Sequence, residues 1–408
     1  MIDFTVLRKD FPILSRRVNG KELVYLDSAA SSQKPNVVIE SVKSFYENKY
    51  SNIHRGLYDL SQQASQDYEE SRTYIAKFFN AKSEELIFTK NATESMNLIA
   101  YSMLSQLKSG DEVIISEMEH HANIVPWHLI SKLKKIKIKS IPFNHETGLI
   151  DVETLKKNLT KNTKIVSLTH ASNVLGSINP IKELSKTVKK YNPDIIFGSD
   201  LAQSAPHLKI DFKSLGIDFG VFSSHKMLGP SGVGGLLAKT EFMNSLSPFM
   251  GGGDMIKSVS YKQATYQKTP YKFEAGTPNI EGVIGLKAAI VYLNRIGMKN
   301  VRIHELELLK TLMNQIKDLD YLEYYGPKKI KDRTGLFAFN LVGIHAHDVS
   351  EILNQHGIAT RSGHHCAQPL HQHLGLDATT RASFYLYNTK QEVNKLVEGI
   401  KKTKEVFI

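Results

Sequence analysis

The chain has one cysteine in 408 residues, Cys366, set in Arg361-Ser362-Gly363-His364-His365-Cys366-Ala367. A lone thiol has no intramolecular disulfide partner, which points to a reducing compartment and leaves it either inert or chemical. Two histidines and an arginine beside it are the setting in which a thiol becomes reactive. Arg361 and Arg381, the second in Arg381-Ala382-Ser383-Phe384, are natural forks for a carboxylate. Lys226 closes Ser223-Ser224-His225-Lys226, directly after an apolar run and before a glycine-rich turn. Partial burial there would lower the amine's pKa and free its lone pair for Schiff-base chemistry. Asp200 ends the run IIFGSD, with Gln203 three residues on. A carboxylate at a buried strand end is costly without a partner, and a protonated ring nitrogen would be one. Thr93, after Asn91-Ala92, opens a helix whose free N–H groups and hydroxyl suit a phosphate. His120 and His121 follow EVIIS, where a flat imidazole could stack on an aromatic ring and move protons.

Each residue also has a plain reading. Lys226 fits a loop lysine, Asp200 and Thr93 fit helix N-caps, and the His120-His121 pair fits a solvated loop. Cys366 fits a buried inert thiol. Seven of the sixteen histidines fall between His345 and His373, and His345-x-His347 or His371-x-His373 could serve as metal ligands. His364-His365-Cys366 fits metal poorly, because neighbours on an extended chain point to opposite sides. The expectation is no metal.

The elements that would position these residues alternate. Short apolar β-rich runs lie at Glu112–Ser116, 165–169, 195–199, 219–222 and 235–238. Between several of them lie helical segments. Residues 93–107 put Met96, Ile99, Met103 and Leu107 on one face, open with Thr93 as a cap and close at Ser109-Gly110; Ile181–Tyr191 is a second helix. Such alternation predicts an α/β fold with a mainly parallel sheet covered on both faces, and ligands gather at the carboxyl ends of its strands. From about Gly282 the texture changes: helices near 283–296 and 301–316, a strand at Leu336–Leu341, a helix after Asp348 and a last helix near 390–403. This reads as a smaller α+β domain.

The apolar fraction of 41% and charged fraction of 23% are those of a globular protein. No run approaches the roughly 20 apolar residues needed to span a bilayer, and the first residues do not read as a secretory signal. The net charge of +11 raises nucleic-acid binding. The lysines are scattered, however. Their densest cluster, 132–139, alternates with apolar residues and has no nucleic-acid motif beside it. Neither a nucleic acid nor a membrane is expected as a partner.

Taken together, the segments resemble the SUF-type (group II) cysteine desulfurases of the class-V aminotransferase family. The motifs are Tyr25-Leu26-Asp27-Ser28-Ala29-Ala30, His54-Arg55-Gly56, Glu119-His120-His121-Ala122-Asn123, Ser172-Asn173-Val174-Leu175-Gly176, Asp200-x-x-Gln203 and Ser223-x-His225-Lys226. They continue with Gly251-Gly252-Gly253, Phe273-Glu274-Ala275-Gly276-Thr277-Pro278-Asn279, Arg361-x-Gly363-His364-His365-Cys366-Ala367 and Arg381-Ala382-Ser383. Their joint order and spacing are specific where no single one is, and they cover nearly the whole chain.

The resemblance implies the type I fold of pyridoxal-phosphate (PLP) enzymes. Residues 1–20 would pack with the small domain, 21–285 would form the large PLP-binding domain, and 286–408 the small domain carrying the cysteine. It implies that Lys226 bears PLP and shuttles protons, Asp200 holds the pyridine nitrogen, and Gln203 and Asn173 sit by the ring hydroxyl. His120 would stack on the ring and assist proton transfer. Thr93, Ser223 and His225 would bind the phosphate, with Thr277 from the other subunit of a homodimer. Arg381, with Arg361 and Asn173, would hold the carboxylate of L-cysteine. Cys366 would take the sulfur as a persulfide and release L-alanine. The short segment around Cys366 resembles the group that passes sulfur to a separate SUF acceptor protein for iron–sulfur cluster assembly.

Ala92, Leu201 and Ser224 depart from residues frequent in that group (threonine, glycine and glycine) and weaken only detailed phosphate and ring contacts. The alternatives are a selenocysteine lyase or an enzyme of dual cysteine/selenocysteine activity, a kynureninase-like hydrolase, against which Cys366 argues, and a basic non-catalytic scaffold. Cytoplasm is the expected location, or a plastid-like organelle if a leader has been trimmed.

Overall fold

The computed structural model describes residues 3–407. Seven strands build its central sheet: β1 (Leu86–Thr89), β2 (Glu112–Ser116), β3 (Lys137–Ile141), β4 (Thr163–Thr169), β5 (Ile196–Asp200), β6 (Phe219–Ser223) and β7 (Gly234–Ala238). Their order is β1-β7-β6-β5-β4-β2-β3. All neighbours are parallel except β7, which runs antiparallel to both β1 and β6. The expected mainly parallel sheet is therefore present, with one reversed strand. β2, β6 and β7 are buried at every position, as strands covered on both faces must be. The edge strand β3 keeps Lys137, Lys139 and Ser140 out of the core, and Lys139 meets Glu112 at 3.0 Å.

The helix after β1 is Ala92–Ser102, shorter than the 93–107 expected. Met103 caps its end, and the chain turns while Met103 and Leu107 stay buried, so the apolar spacing outlasts the helix. Its N-cap is Asn91, not Thr93: the Asn91 side chain accepts the Glu94 N–H at 2.9 Å. A Cβ built on Gly234 would lie 2.5 Å from Asn91 Cα, so only glycine lets this helix start sit on β7.

The later sheet has four strands: β8 (Leu322–Tyr325), β9 (Leu336–Leu341), β10 (Arg361–Gly363) and β11 (Thr379–Ser383), in the order β8-β9-β11-β10 and all antiparallel. Helices Met298–Ile316, Ala346–Gln355 and Lys390–Val406 accompany it. The expected helix after Asp348 starts earlier, at Ala346, with His345 as its cap. The last helix opens on a capping box in which Thr389 and Glu392 satisfy each other's N–H groups. Val24–Tyr25 pairs in parallel with Ile358–Ala359, and Val24 and Leu26 join the apolar cluster of this later part. Residues near the start also lie against it. Arg8 meets Glu392 at 2.8 Å, Phe4 stacks on His304 at 3.9 Å, and Asn19 donates to the Asn354 carbonyl at 3.1 Å. Residue 285 lies inside helix Ile280–Ile296, which packs on helices Asn36–Asn48 and Asp59–Phe78. Among the described residues no helix is long and apolar enough to cross a membrane.

One buried ion pair fastens the 273–279 segment to the large sheet. Arg72 donates to both oxygens of Glu274 at 2.7 and 2.8 Å, to Glu69 at 2.9 Å and to the Leu86 carbonyl at 3.0 Å. Removing one partner of a buried pair strands the other charge. Arg72→Ala is expected to lower unfolding free energy by about 3–5 kcal/mol in urea titrations; a loss under about 1 kcal/mol would show that Glu274 finds water instead.

Candidate functional site

The chain places four of the singled-out residues at or just beyond the carboxyl ends of four adjacent parallel strands. His120 follows β2, Asn173 follows β4, Asp200 ends β5, and Lys226 follows β6. They open into one cavity of about 270 Å³, also lined by Thr93, Gln203, Ser223, His225, Arg361, Cys366 and Arg381. Thr277 alone of the singled-out residues lies elsewhere. It lines a second cavity with Tyr68, Phe88 and Phe249.

Lys226 ends a short 3-10 turn, Ser224–Lys226. The carbonyl just before it, that of His225, accepts from Ser32 N–H, Ser32 Oγ and Lys34 Nζ, each at 3.0 Å, and from Ser31 Oγ at 3.2 Å. Four donors on one carbonyl hold the lysine's backbone in place. Burial, with Arg381 nearby and against the pull of Asp200, brings the Lys226 amine down to about 8. Asp200 is not a helix cap. Its Oδ1 accepts the Ala202 N–H at 2.8 Å, and burial raises its pKa against that bond and Lys226.

His120 is held near neutrality of charge: burial first, then Lys226, His121 and Arg381, push its pKa down to about 3. Its Nδ1 accepts the Ala122 N–H at 3.0 Å, so the neutral ring carries its proton on Nε2. His225 is brought down to about 4 by burial, Lys226 and Lys34. Ser223 Oγ accepts the Ala92 N–H at 2.9 Å, tying β6 to the start of helix Ala92–Ser102, with Thr93 exposed beside it. That helix start, with its positive dipole end and the Thr93 N–H left over, suits an anionic group. Gln203 Nε2 donates to the Ala29 carbonyl at 2.6 Å.

The two arginines meet on a residue outside the expected set, Asp27. Arg361 bonds both Asp27 oxygens, through Nε at 3.2 and 3.1 Å and through Nη2 at 3.0 Å. Arg381 Nη2 donates to Asp27 Oδ1 at 3.1 Å, and its Nη1 to the Asn173 carbonyl at 2.9 Å. Arg381 is 2% exposed, and its Nε has no hydrogen-bond partner. Burial lowers its pKa against the attraction of Asp27. A buried guanidinium with an idle donor at a cavity wall is ready for a carboxylate. The motif Tyr25-Leu26-Asp27 was visible in the sequence, but an aspartate 354 positions from its arginine carries no local signal.

Cys366 is exposed on the cavity's wall. His365 and Cys366 both take left-handed backbone, φ 52° and 57°, unusual for residues with a Cβ. Asn173 Nδ2 donates to the His365 carbonyl at 2.5 Å, and His365 Nε2 lies 3.0 Å from Thr379 Oγ1. The other histidines of the region are spread out. His371 contacts the Ala367 carbonyl and Thr379, His373 pairs with His145 at 3.0 Å, and His345 caps a helix with His347 beside it.

Known proteins resemble the chain over nearly its whole length. The model of the aminotransferase class-V family matches residues 24–396. A probable cysteine desulfurase of Halalkalibacterium halodurans is 45% identical, covering 98% of both chains. A cysteine desulfurase of Haloferax volcanii is 44% identical over all of this chain and 98% of its own. The apo structure of a cysteine desulfurase from Thermococcus onnurineus superposes with a TM-score of 0.93, at 38% identity and 98% coverage of each chain. With its cavity at the strand ends and a match of this extent, the chain belongs to the aminotransferase class-V family.

Proposed function

We propose that this chain is a PLP-dependent cysteine desulfurase that releases L-alanine from L-cysteine and keeps the sulfur on Cys366. One observation carries the reading: the single thiol lines the same cavity as Lys226, Asp200, His120 and the two arginines. Support also comes from the near full-length relatives named for that activity. The cavity's donors fit the cofactor. Lys226, an amine with a lowered pKa, would take the aldehyde, the buried Asp200 carboxyl would pair with the ring nitrogen, and the start of helix Ala92–Ser102 would receive the phosphate. When bound, PLP draws electrons away from the substrate's α-carbon and stores them.

The chain's own groups do the rest. Arg381, through its idle Nε, and Arg361 orient the substrate carboxylate. Lys226 Nζ takes the α-proton, which an amine with a pKa of about 8 can do near neutral pH. Cys366 Sγ, as thiolate, attacks the substrate sulfur. The new S–S bond forms as the C–S bond breaks, and the bonding pair stays with the carbon skeleton. Protons returned by Lys226 and His120 then complete L-alanine. Asp200, Gln203 and Asn173 would hold the ring, and Thr93, Ser223 and His225 the phosphate.

Further parts of the reading extend beyond one chain. Two copies form a homodimer, and Thr277 of each reaches the other's phosphate site, in keeping with its place outside its own cavity. Exposed Leu57, Val259 and Tyr261 supply apolar surface for such a contact. The persulfide passes to a SUF acceptor protein for iron–sulfur assembly in the cytoplasm. The expected boundary at 285/286 falls inside helix Ile280–Ile296, so we place the division at the helix end, Gly297, with Arg8, Val24 and Leu26 among the early residues that meet the small domain.

The test is alanine formed from L-cysteine by the purified full chain with PLP and a thiol reductant. Stoichiometric alanine and persulfide support the reading. No alanine, even with a candidate acceptor added, overturns it. A second expected outcome concerns the apoprotein. Since only the neutral amine captures an aldehyde, the rate of PLP uptake should climb with pH to a plateau, with its midpoint near 8. Stopped-flow absorbance would read it, and a midpoint above 10 would mean that Lys226 feels no burial.

A further inference from the structure

Glu119 is fully buried directly before His120, and no role has been given to it above. Its Oε1 accepts Ser116 Oγ at 2.5 Å and the Thr169 N–H at 2.9 Å, and its Oε2 accepts Asn123 Nδ2 at 2.7 Å. The carboxylate thus joins the ends of β2 and β4 to the far end of the short turn His121–Asn123. Asn123 is fastened in turn. Its Oδ1 accepts Ser167 Oγ at 2.6 Å and Trp127 Nε1 at 3.3 Å, and its Nδ2 also donates to the Ser167 carbonyl at 3.1 Å. Every donor of this network is matched to an acceptor, as a buried polar cluster requires.

The turn held in this way touches the cysteine segment twice. The His121 N–H donates to the Cys366 carbonyl at 2.7 Å, and His121 Nε2 accepts the Gln368 N–H at 3.0 Å. These bonds fasten the chain on the carboxyl side of Cys366, whose own left-handed backbone would relax if nothing held it. We infer that Glu119 is a positioning residue: it locks the His120–Asn123 turn to the sheet, and through His121 it sets where Cys366 stands over the cavity. The inference rests on the desulfurase reading for its purpose but not for its test, which needs no turnover.

Two accidents of composition make the test clean. Cys366 is the only cysteine and Trp127 the only tryptophan, and they stand at opposite ends of the network. In Glu119→Gln the new amide nitrogen faces the Asn123 amide, so that link breaks while size and fold are kept. Alkylation of Cys366 by iodoacetamide in the full-length apoprotein should speed up at least threefold. The Trp127 emission maximum should move, and the melting temperature should stay within a few degrees. Glu119→Asp, which keeps the carboxyl group but not the reach, should fall between. In His121→Ala, which removes one of the two links to the cysteine segment, the added effect of Glu119→Gln on alkylation should shrink markedly. An unchanged or slower alkylation in Glu119→Gln overturns the inference. So does an effect of equal size with and without His121. A fall in melting temperature with alkylation unmoved would also overturn it, leaving Glu119 a structural group only.

Discussion

Cys366→Ala is expected to leave the protein folded and yellow with bound PLP while alanine formation from L-cysteine falls by roughly 10³-fold or more. The reasoning is geometric. Cys366 is exposed, and its side chain meets none of the hydrogen bonds that hold the surrounding segment, which run through its backbone carbonyl and through His365. Removing Sγ therefore takes away the proposed destination of the sulfur and little else. Cofactor absorbance and alanine release, measured side by side with wild type, separate the two effects. Equal alanine from both proteins would mean that sulfur leaves without this thiol. Loss of the yellow colour would mean that the segment shapes the cofactor pocket.

On the proposed mechanism Lys226→Ala removes both the attachment point of the cofactor and the base, so its loss should be larger, on the order of 10⁴-fold or more in alanine formation. The fold should survive, because the turn Ser224–Lys226 is held through the His225 carbonyl rather than through the lysine side chain. Borohydride reduction followed by peptide mapping gives an independent readout. Wild type should carry the reduced cofactor on Lys226, and the alanine variant on no lysine. Cofactor trapped on Lys34 instead would point to a rival. That amine is also brought down by burial, to about 8, and it donates to the same carbonyl.

Much of this site was legible before any fold was known, because its residues cluster at ends of apolar runs. Strands β2, β4, β5, β6 and β7 announced themselves as unbroken apolar stretches, the mark of strands covered on both faces. β3 did not. Its alternating lysines looked like solvated surface, and on its open side they are. β1 and the short strands β8 and β10 offered too few residues to show a period, and β11, Thr379–Ser383, has no apolar run. The helix cap was misassigned to Thr93 because threonine and asparagine both cap well, and only the hydrogen bond to Glu94 decides for Asn91. Asp27 and Ser31 to Lys34 stayed hidden for another reason. Their work is to hold Arg361, Arg381 and the His225 carbonyl, partners about 190 to 350 positions away, and spacing along the chain carries no trace of such contacts.

The bond between Asp27 and Arg381 also sets a timetable for synthesis. Their separation of 354 positions takes roughly 20–70 s to translate at ordinary rates of 5–20 residues per second. For that interval strand Val24–Tyr25 waits without Ile358–Ala359, its parallel partner. The large sheet β1–β7 is complete well before, so a newborn chain holds Lys226 and Asp200 long before it owns either arginine or the thiol. On the proposed mechanism sulfur transfer is thereby the last capability the ribosome delivers, and a chain cut short between Lys226 and Arg361 leaves with the lysine but without Arg361, Cys366 or Arg381.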